Sequence, residues 1–315
     1  MAKQSVLIIG ATGITGSSIV NGLLEDSGNF HVIAAVRPSS TSKPQVGDFK
    51  SRGVEIRILY LENRSVDQIA EPFQGVDIVI STIYITEILR QKVLVDACKK
   101  AGVKRFIPDD WAIPSIRGVR KLGDEKLVIR DYVKESGIGY TFIDVGWWMQ
   151  LSPPFMHLID KAKVPYPRLI RTYGSRFGTG DVKCAVTDSR DIGKFVARII
   201  VDERTLNRYV FCWVQEVTQN ELFAIAERVF GHKIDIGTFS EEERLDLLHH
   251  GADTERNSAD YVYSLWIRGD NTVENAKKEE YGGALDAKEL YPDLGEELRT
   301  LEDYAKELLA AGAVF

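Results

Sequence analysis

Three glycines, Gly10, Gly13 and Gly16, follow directly on the apolar run Ser5–Gly10 and lead into a segment of helical spacing, Thr15–Glu25. A strand that turns into a helix through GxxGxxG constrains the fold more than any other feature of this chain. Gly10 permits the tight turn, Gly13 lets the backbone approach a pyrophosphate, and Gly16 allows the helix to pack closely on the strand. The free N–H groups of the helix start can receive phosphate oxygens. The segment therefore predicts a dinucleotide cradle in which Thr12, Gly13, Ile14 and Thr15 touch the ligand.

The first half of the chain alternates β-branched runs with longer helical patterns, the mark of βαβ units around a parallel sheet. Strands are predicted at Ser5–Gly10, His31–Arg37, Val54–Tyr60, Val76–Ser81, Arg105–Pro108 and Gly139–Val145, with helices near Thr15–Glu25, Val66–Phe73, Glu87–Ala101 and Gly118–Ser136. The fold class that follows is α/β: a Rossmann-type doubly wound parallel sheet with a smaller, mainly helical C-terminal domain. Residues 1–150 form the dinucleotide domain, with 185–215 returning to it, and residues 151–315 form the substrate-binding region. Pro153, Pro154, Pro165, Pro167 and the Gly-rich stretch Tyr173–Gly180 read as loop. Further on, Asp191–Ile200 reads as a helix and Arg208–Trp213 as a strand. Thr218 and Glu221 match a capping box for a helix to about Phe230.

The strand His31–Arg37 ends in arginine, with no Asp or Glu at its tip and with Ser39, Ser40 and Lys43 close behind. A carboxylate there would bond a ribose 2′-hydroxyl, whereas arginine meets a 2′-phosphate, so the cofactor expected is NADP(H). The net charge of -6 and pI near 5.6 argue against nucleic acid or an anionic membrane as partner. Met1–Gln4 leave no room for a signal sequence before the first strand, and the expectation is a cytoplasmic protein, a monomer or homodimer, acting on a small molecule. Cys98, Cys184 and Cys212 are too widely spaced for a zinc site and read as reduced thiols; no metal is expected.

Across residues 5–230 the chain resembles the atypical short-chain dehydrogenase/reductases that include the NmrA-like proteins and the isoflavone, pinoresinol-lariciresinol and phenylcoumaran benzylic ether reductases. The likeness is carried by Gly10–Gly16, Val36–Arg37, Val76–Ser81, Gly102–Pro108 and Asp144–Gln150. It implies cofactor contacts from Ser81, Thr82, Pro108, Gly146 and Trp147, and substrate contacts from Asp110, Trp111, Trp147 and Trp148. Two stretches depart from the family pattern. Leu59–Tyr60 replaces a Gly-Asp pair, and Pro108–Ala112 reads Pro-Asp-Asp-Trp-Ala where Pro-Ser-Glu-Phe-Gly is usual.

None of the twelve tyrosines has a lysine four positions on, so the ordinary Tyr-x-x-x-Lys proton donor is absent. The resemblance assigns the role to a lysine on the helix after the fifth strand, which Lys126 matches, and the same lysine is implied as a cofactor contact. The helix pattern points to Lys126 independently. Val119, Leu122, Ile129 and Val133 make an apolar stripe, and Lys126 lies within it. Lys121 reads as a solvated charge, Asp109 and Asp110 as a cap or solvated turn, and Asp144 as an unusual acid within a strand. His249 and His250, adjacent on a helix, point too far apart to share a metal. The function expected is NADPH-dependent reduction of a small, conjugated or aromatic molecule. A non-catalytic NADP(H) sensor that binds a protein partner is the rival, and a redox-neutral isomerase or cyclase a third reading.

Overall fold

The computed structural model describes residues 3–158 and 167–313, and the side chains of 167–170 are outside the description. The chain divides into two compact units. The first takes in Met1–Trp111, Glu125–Asp144 and Arg190–Val210, and the second Ala112–Asp124, Val145–Ser189 and Phe211–Phe315. Stretches 112–124 and 145–150 thus belong with the second unit, which is no smaller than the first.

In the first unit, β1 (Gln4–Ile9), α1 (Ile14–Glu25), β2 (Phe30–Val36), α2 (Pro44–Ser51), β3 (Glu55–Ile58), α3 (Val66–Ala70), β4 (Ile78–Ser81), α4 (Gln91–Ala101), β5 (Arg105–Ile107), α5 (Lys121–Ser136) and β6 (Gly139–Asp144) follow one another. The strands lie in the order β6-β5-β4-β1-β2-β3, all pairs parallel, so the sheet winds outward in both directions from β1. Such central strands are covered on both faces and should be continuously apolar. Val6, Leu7, Ile8, Ile33, Val79, Ile80, Phe106 and Ile107 are accordingly buried.

Several boundaries differ from the sequence reading. The third strand is short, ending at Ile58, whose register partner Val36 is the last residue of β2. The helix placed at Gly118 begins at Lys121, since Gly118 sits at φ 78°, outside helical space. The segment from Glu87 opens as a 3-10 turn (Ile85–Arg90) before α4. Helix α2 was not anticipated; Pro44 at its first turn and Phe49 and Val46 on its buried side account for it.

The second unit holds β7 (Trp147–Trp148), α6 (Pro167–Gly174), β8 (Cys184–Thr187), β10 (Gln215–Val217), α8 (Gln219–Phe230), α9 (Glu241–His250), α10 (Asp253–Tyr263), α11 (Val273–Lys277), β11 (Leu285–Asp286), α12 (Ala287–Leu290) and α13 (Leu301–Ala310). Helix α7 (Ile192–Ile199) and β9 (Arg208–Phe211), next to β6, return to the first unit. A small sheet β10-β8-β7 pairs antiparallel and then parallel. Pro167–Gly174 is helix where loop was expected: proline is well placed in a first helical turn and signals an interruption only further in. Pro165 lies outside the described residues. The capping box at Thr218 is present, its hydroxyl receiving the Glu221 N–H.

Helices α1 and α7 come close enough for backbone to meet backbone at Gly22 and Gly193. A Cβ on Gly193 would overlap the Ser18 carbonyl, and one on Gly22 would overlap the Gly193 backbone. Ser18 Oγ seals the crossing, accepting from Gly193 N at 3.0 Å and donating to Arg190 O at 2.9 Å.

Candidate active site

The glycine turn has the shape its spacing predicts. Gly10 is at φ 80°, and its missing Cβ would overlap the Thr82 carbonyl at the end of β4. Gly16 is equally closed, against Gly10 O and Ala11 Cα. Gly13 differs: it is exposed, and the only atom a Cβ there would meet is Gly10 O at 3.3 Å. Two of the three glycines are therefore demanded by the protein itself, and the third leaves space. Gly13 is also the N-cap of α1, with no side chain capping the helix and no acid in the first turn. Ile14 beside it is 66% exposed. An uncapped helix start with open backbone in front suits a pyrophosphate, and nothing there repels one.

At the tip of β2, Arg37 is exposed and makes no ion pair among the described residues. Lys43 Nζ reaches Thr12 Oγ1 at 3.4 Å, bringing the second expected cation back to the glycine turn. Ser39 is exposed, while Ser40 is buried under the turn. Thr15 is buried on α1, and Thr82 Oγ1 donates to Ile9 O at 2.7 Å, tying β4 to β1. Ser81 Oγ is buried without a hydrogen-bond partner among the described residues. These groups fit NADP(H): an open phosphate cradle, and two cations near the ribose end.

Beyond β5 the chain reads Pro108, Asp109, Asp110, Trp111, and here the sequence expectation fails. Asp109 and Asp110 are 7% and 1% exposed, not a solvated turn. Charged partners from α5 make this burial tolerable. Lys126 Nζ lies 3.6 Å from Asp109 Oδ1 and donates to the Asp110 carbonyl. One helical turn on, Arg130 Nε donates to Asp110 Oδ2 at 3.0 Å and its Nη2 to Asp144 Oδ2 at 2.8 Å. Tyr209 completes the group, its hydroxyl donating to Asp144 at 2.7 Å and its ring lying 4.3 Å under the guanidinium. Lys126 is 7% exposed, so its ammonium is held inside rather than led out to water along its stem. Lys121 is exposed, as expected.

The cluster holds three carboxyls against two cations. Burial raises the Asp109 carboxyl to about 6, with Lys126 pulling the other way, and it raises Asp110 as well, there opposed by Arg130. Burial works against the Arg130 charge too, but Asp110 and Asp144 outweigh it and hold that pKa above its ordinary value. Burial and then the Asp144 charge keep the Tyr209 phenol protonated. The arrangement can store a proton beside a buried ammonium near neutral pH.

Trp111 is buried at φ 23°, pinned by an indole hydrogen bond to Ser81 O at 2.8 Å. Gly146, Trp147 and Trp148 lie in the second unit. Gly146, at φ 66°, has Ala185 O 2.6 Å from where its Cβ would be, so β8 itself requires glycine there. Trp147 packs on Tyr173 and Tyr261 with ring centroids 5.1 and 5.9 Å away, while Trp148 is half-buried. Sequence reasoning missed Arg130, Tyr209, Arg120 and Tyr261. Arg130 alone had a local signal, since it follows Lys126 by four residues on the same apolar helix face.

His250 pairs with Asp246 at the surface, and no group of three metal-ligating side chains occurs among the described residues. No helix among them is long and apolar enough to cross a membrane. The three cysteines are buried, and none forms a disulfide among the described residues.

The chain is 37% identical to asnovolin J 5′,6′-dehydrogenase of Aspergillus novofumigatus, covering 97% of this chain and 95% of that one. It is 29% identical to a probable pinoresinol-lariciresinol reductase 3 of Arabidopsis thaliana, covering 98% of both. Its fold superposes on the binary complex of leucoanthocyanidin reductase with NADPH from Vitis vinifera at a TM-score of 0.79 and 25% identity, over 97% of this chain and 99% of the other. Residues 2–305 match the NmrA-like family, and the chain is a member of it.

Proposed function

We propose that this NADPH-dependent oxidoreductase reduces a small conjugated molecule of the secondary-metabolite type, with Lys126 supplying the proton that accompanies hydride transfer. The observation that carries the reading is Lys126 itself, an ammonium enclosed among acids and a backbone carbonyl at the end of β5. A purely structural lysine would be expected to reach water. The names of the relatives, a dehydrogenase and several reductases, support an oxidoreductase, and the NADPH complex of leucoanthocyanidin reductase supports the cofactor.

The Gly10–Gly16 turn and the first turn of α1 hold the pyrophosphate through backbone N–H groups, and Arg37 and Lys43 meet the 2′-phosphate. Ser81, Thr82 and Pro108 are the further cofactor contacts. Bound NADPH supplies hydride to an electrophilic carbon such as that of a conjugated alkene, quinone methide or imine. The Asp110 carbonyl fixes the direction of the Lys126 Nζ, which holds the proton for the atom that becomes electron-rich. The dehydrogenase relative favours a second reading, the same transfer run as an oxidation, for which Lys126 would accept the proton.

The test is consumption of NADPH, with NADH as control, across a panel of conjugated alkenes and lignans that includes pinoresinol. Lys126→Ala should bind NADPH normally and lose turnover by about a hundredfold or more. An unchanged rate would remove Lys126 from the mechanism.

A further inference from the structure

Arg120, on the turn before α5, is 3% exposed, yet it has no carboxylate within ion-pair distance among the described residues. Its Nη2 donates to the carbonyls of Ile113 and Pro114 at 3.2 and 3.0 Å and to Ser115 Oγ at 2.5 Å, all neutral acceptors. Its Nη1 is buried and has no acceptor among the described residues. The guanidinium lies 4.5 Å over the ring of Tyr261. That same ring neighbours Trp147, which is 6% exposed and whose Nε1 is also buried without an acceptor among the described residues. Tyr173 packs on Trp147, and its buried phenol is pushed up chiefly by burial, then by Tyr261, with Arg120 opposing. Asp260 is close enough to feel Arg120 and Arg244, but Arg244 is engaged by Glu241 and Asp260 does not bond Arg120.

A buried guanidinium bonded only to neutral oxygens is costly, because burial removes water and no carboxylate bonds it in return. A buried indole N–H without an acceptor adds to the cost. Two orphaned donors therefore flank one aromatic ring, with two further rings beside them. A planar anion would relieve both at once: its oxygen accepts from the donors, and its flat faces lie against indole and phenol. A neutral ketone would supply an acceptor and leave the charge uncompensated.

We propose that Arg120, Trp147, Tyr173 and Tyr261 form a binding site for a planar conjugated anion, a carboxylate or an enolate, whose oxygen accepts from Arg120 Nη1 and Trp147 Nε1. Only the naming of this anion as the substrate rests on the function proposed above; the binding stands apart from it.

The experiment follows the indole N–H resonance of Trp147 by heteronuclear NMR, assigned with Trp147→Phe, in the full chain without NADPH. The probes are trans-cinnamate and dimedone, both ionised near neutral pH, each against its uncharged methyl derivative. At least one anion should move the resonance and bind about tenfold or more tightly than its methyl derivative, as a charge-assisted hydrogen bond requires. A response to cinnamate alone assigns a carboxylate, and to dimedone alone an enolate. Arg120→Met should abolish the preference for the anion, and Arg120→Lys, which keeps charge and stem, should retain part of it. If both anions leave the resonance unmoved, or bind no better than their methyl derivatives, the site does not exist; that comparison needs only the unaltered protein. Failure here with Lys126-dependent turnover intact overturns this inference alone, and loss of that dependence with anion binding intact overturns only the proposed function.

Discussion

Lys126 Nζ stands 3.6 Å from Asp109 Oδ1, with both side chains more than nine-tenths buried, and the same ammonium donates to the carbonyl of the next residue, Asp110. This pairing ties the helix after β5 to the turn before it. The second acid of the turn is taken by Arg130, so two cations four residues apart each hold one of two consecutive acids. The stretch Asp109–Trp111 is also where the sequence leaves its family pattern.

The Asp109 carboxyl makes stability depend on pH in a definite direction. Burial raises it from 3.8 unfolded to about 6 folded, so the folded state binds the extra proton between those values. Stability from this group is complete below about pH 4 and is lost as pH rises through about 6. Asp109→Asn should flatten that stretch of the pH–stability curve relative to the unaltered protein, by on the order of 3 kcal/mol. Urea denaturation at pH 4, 5, 6 and 7 measures it, and parallel curves for the two proteins would contradict it.

Arg130 serves two buried acids at once. Arg130→Met leaves Asp110 and Asp144 facing each other with only the Tyr209 hydroxyl for Asp144, and should cost about 3–5 kcal/mol. Adding Asp144→Asn to it removes one of the stranded charges and should recover part of the loss. Denaturation midpoints for the single and double variants decide; additive losses would mean that Arg130 and Asp144 are not coupled.

The three glycines of the cradle should separate into two kinds. Gly16→Ala meets backbone and should lower the melting temperature markedly. Gly13→Val places its bulk in the open space in front of α1, and should leave the fold within about 1 kcal/mol while weakening NADPH binding by more than about tenfold. Thermal melts set beside NADPH fluorescence titrations test the contrast.

Arg37 is exposed and makes no ion pair among the described residues, so its removal carries little stability cost. Arg37→Ala should weaken NADPH binding by about 2 kcal/mol, roughly thirtyfold, and leave NADH binding nearly unchanged. Equal losses for both nucleotides would show that the 2′-phosphate is met elsewhere.

What the sequence determined was whatever one segment can express alone. The glycine spacing after an apolar run requires a strand–turn–helix, and a parallel sheet buried on both faces leaves continuous β-branched runs that can be read without knowing their partners. Arg37 at a strand tip and Lys126 in an apolar stripe were visible for the same reason: each breaks a local period. The tertiary structure decided the partnerships. Asp109 and Asp110 read as solvated because nothing local announces that Lys126 and Arg130 will reach them, and Tyr209 meets Asp144 across 65 residues of chain. Arg120 and Tyr261 come together from farther still. Periodicity reports which face of an element turns inward; a buried charge can be understood only with the charge it meets, and that pairing exists only once the chain has folded.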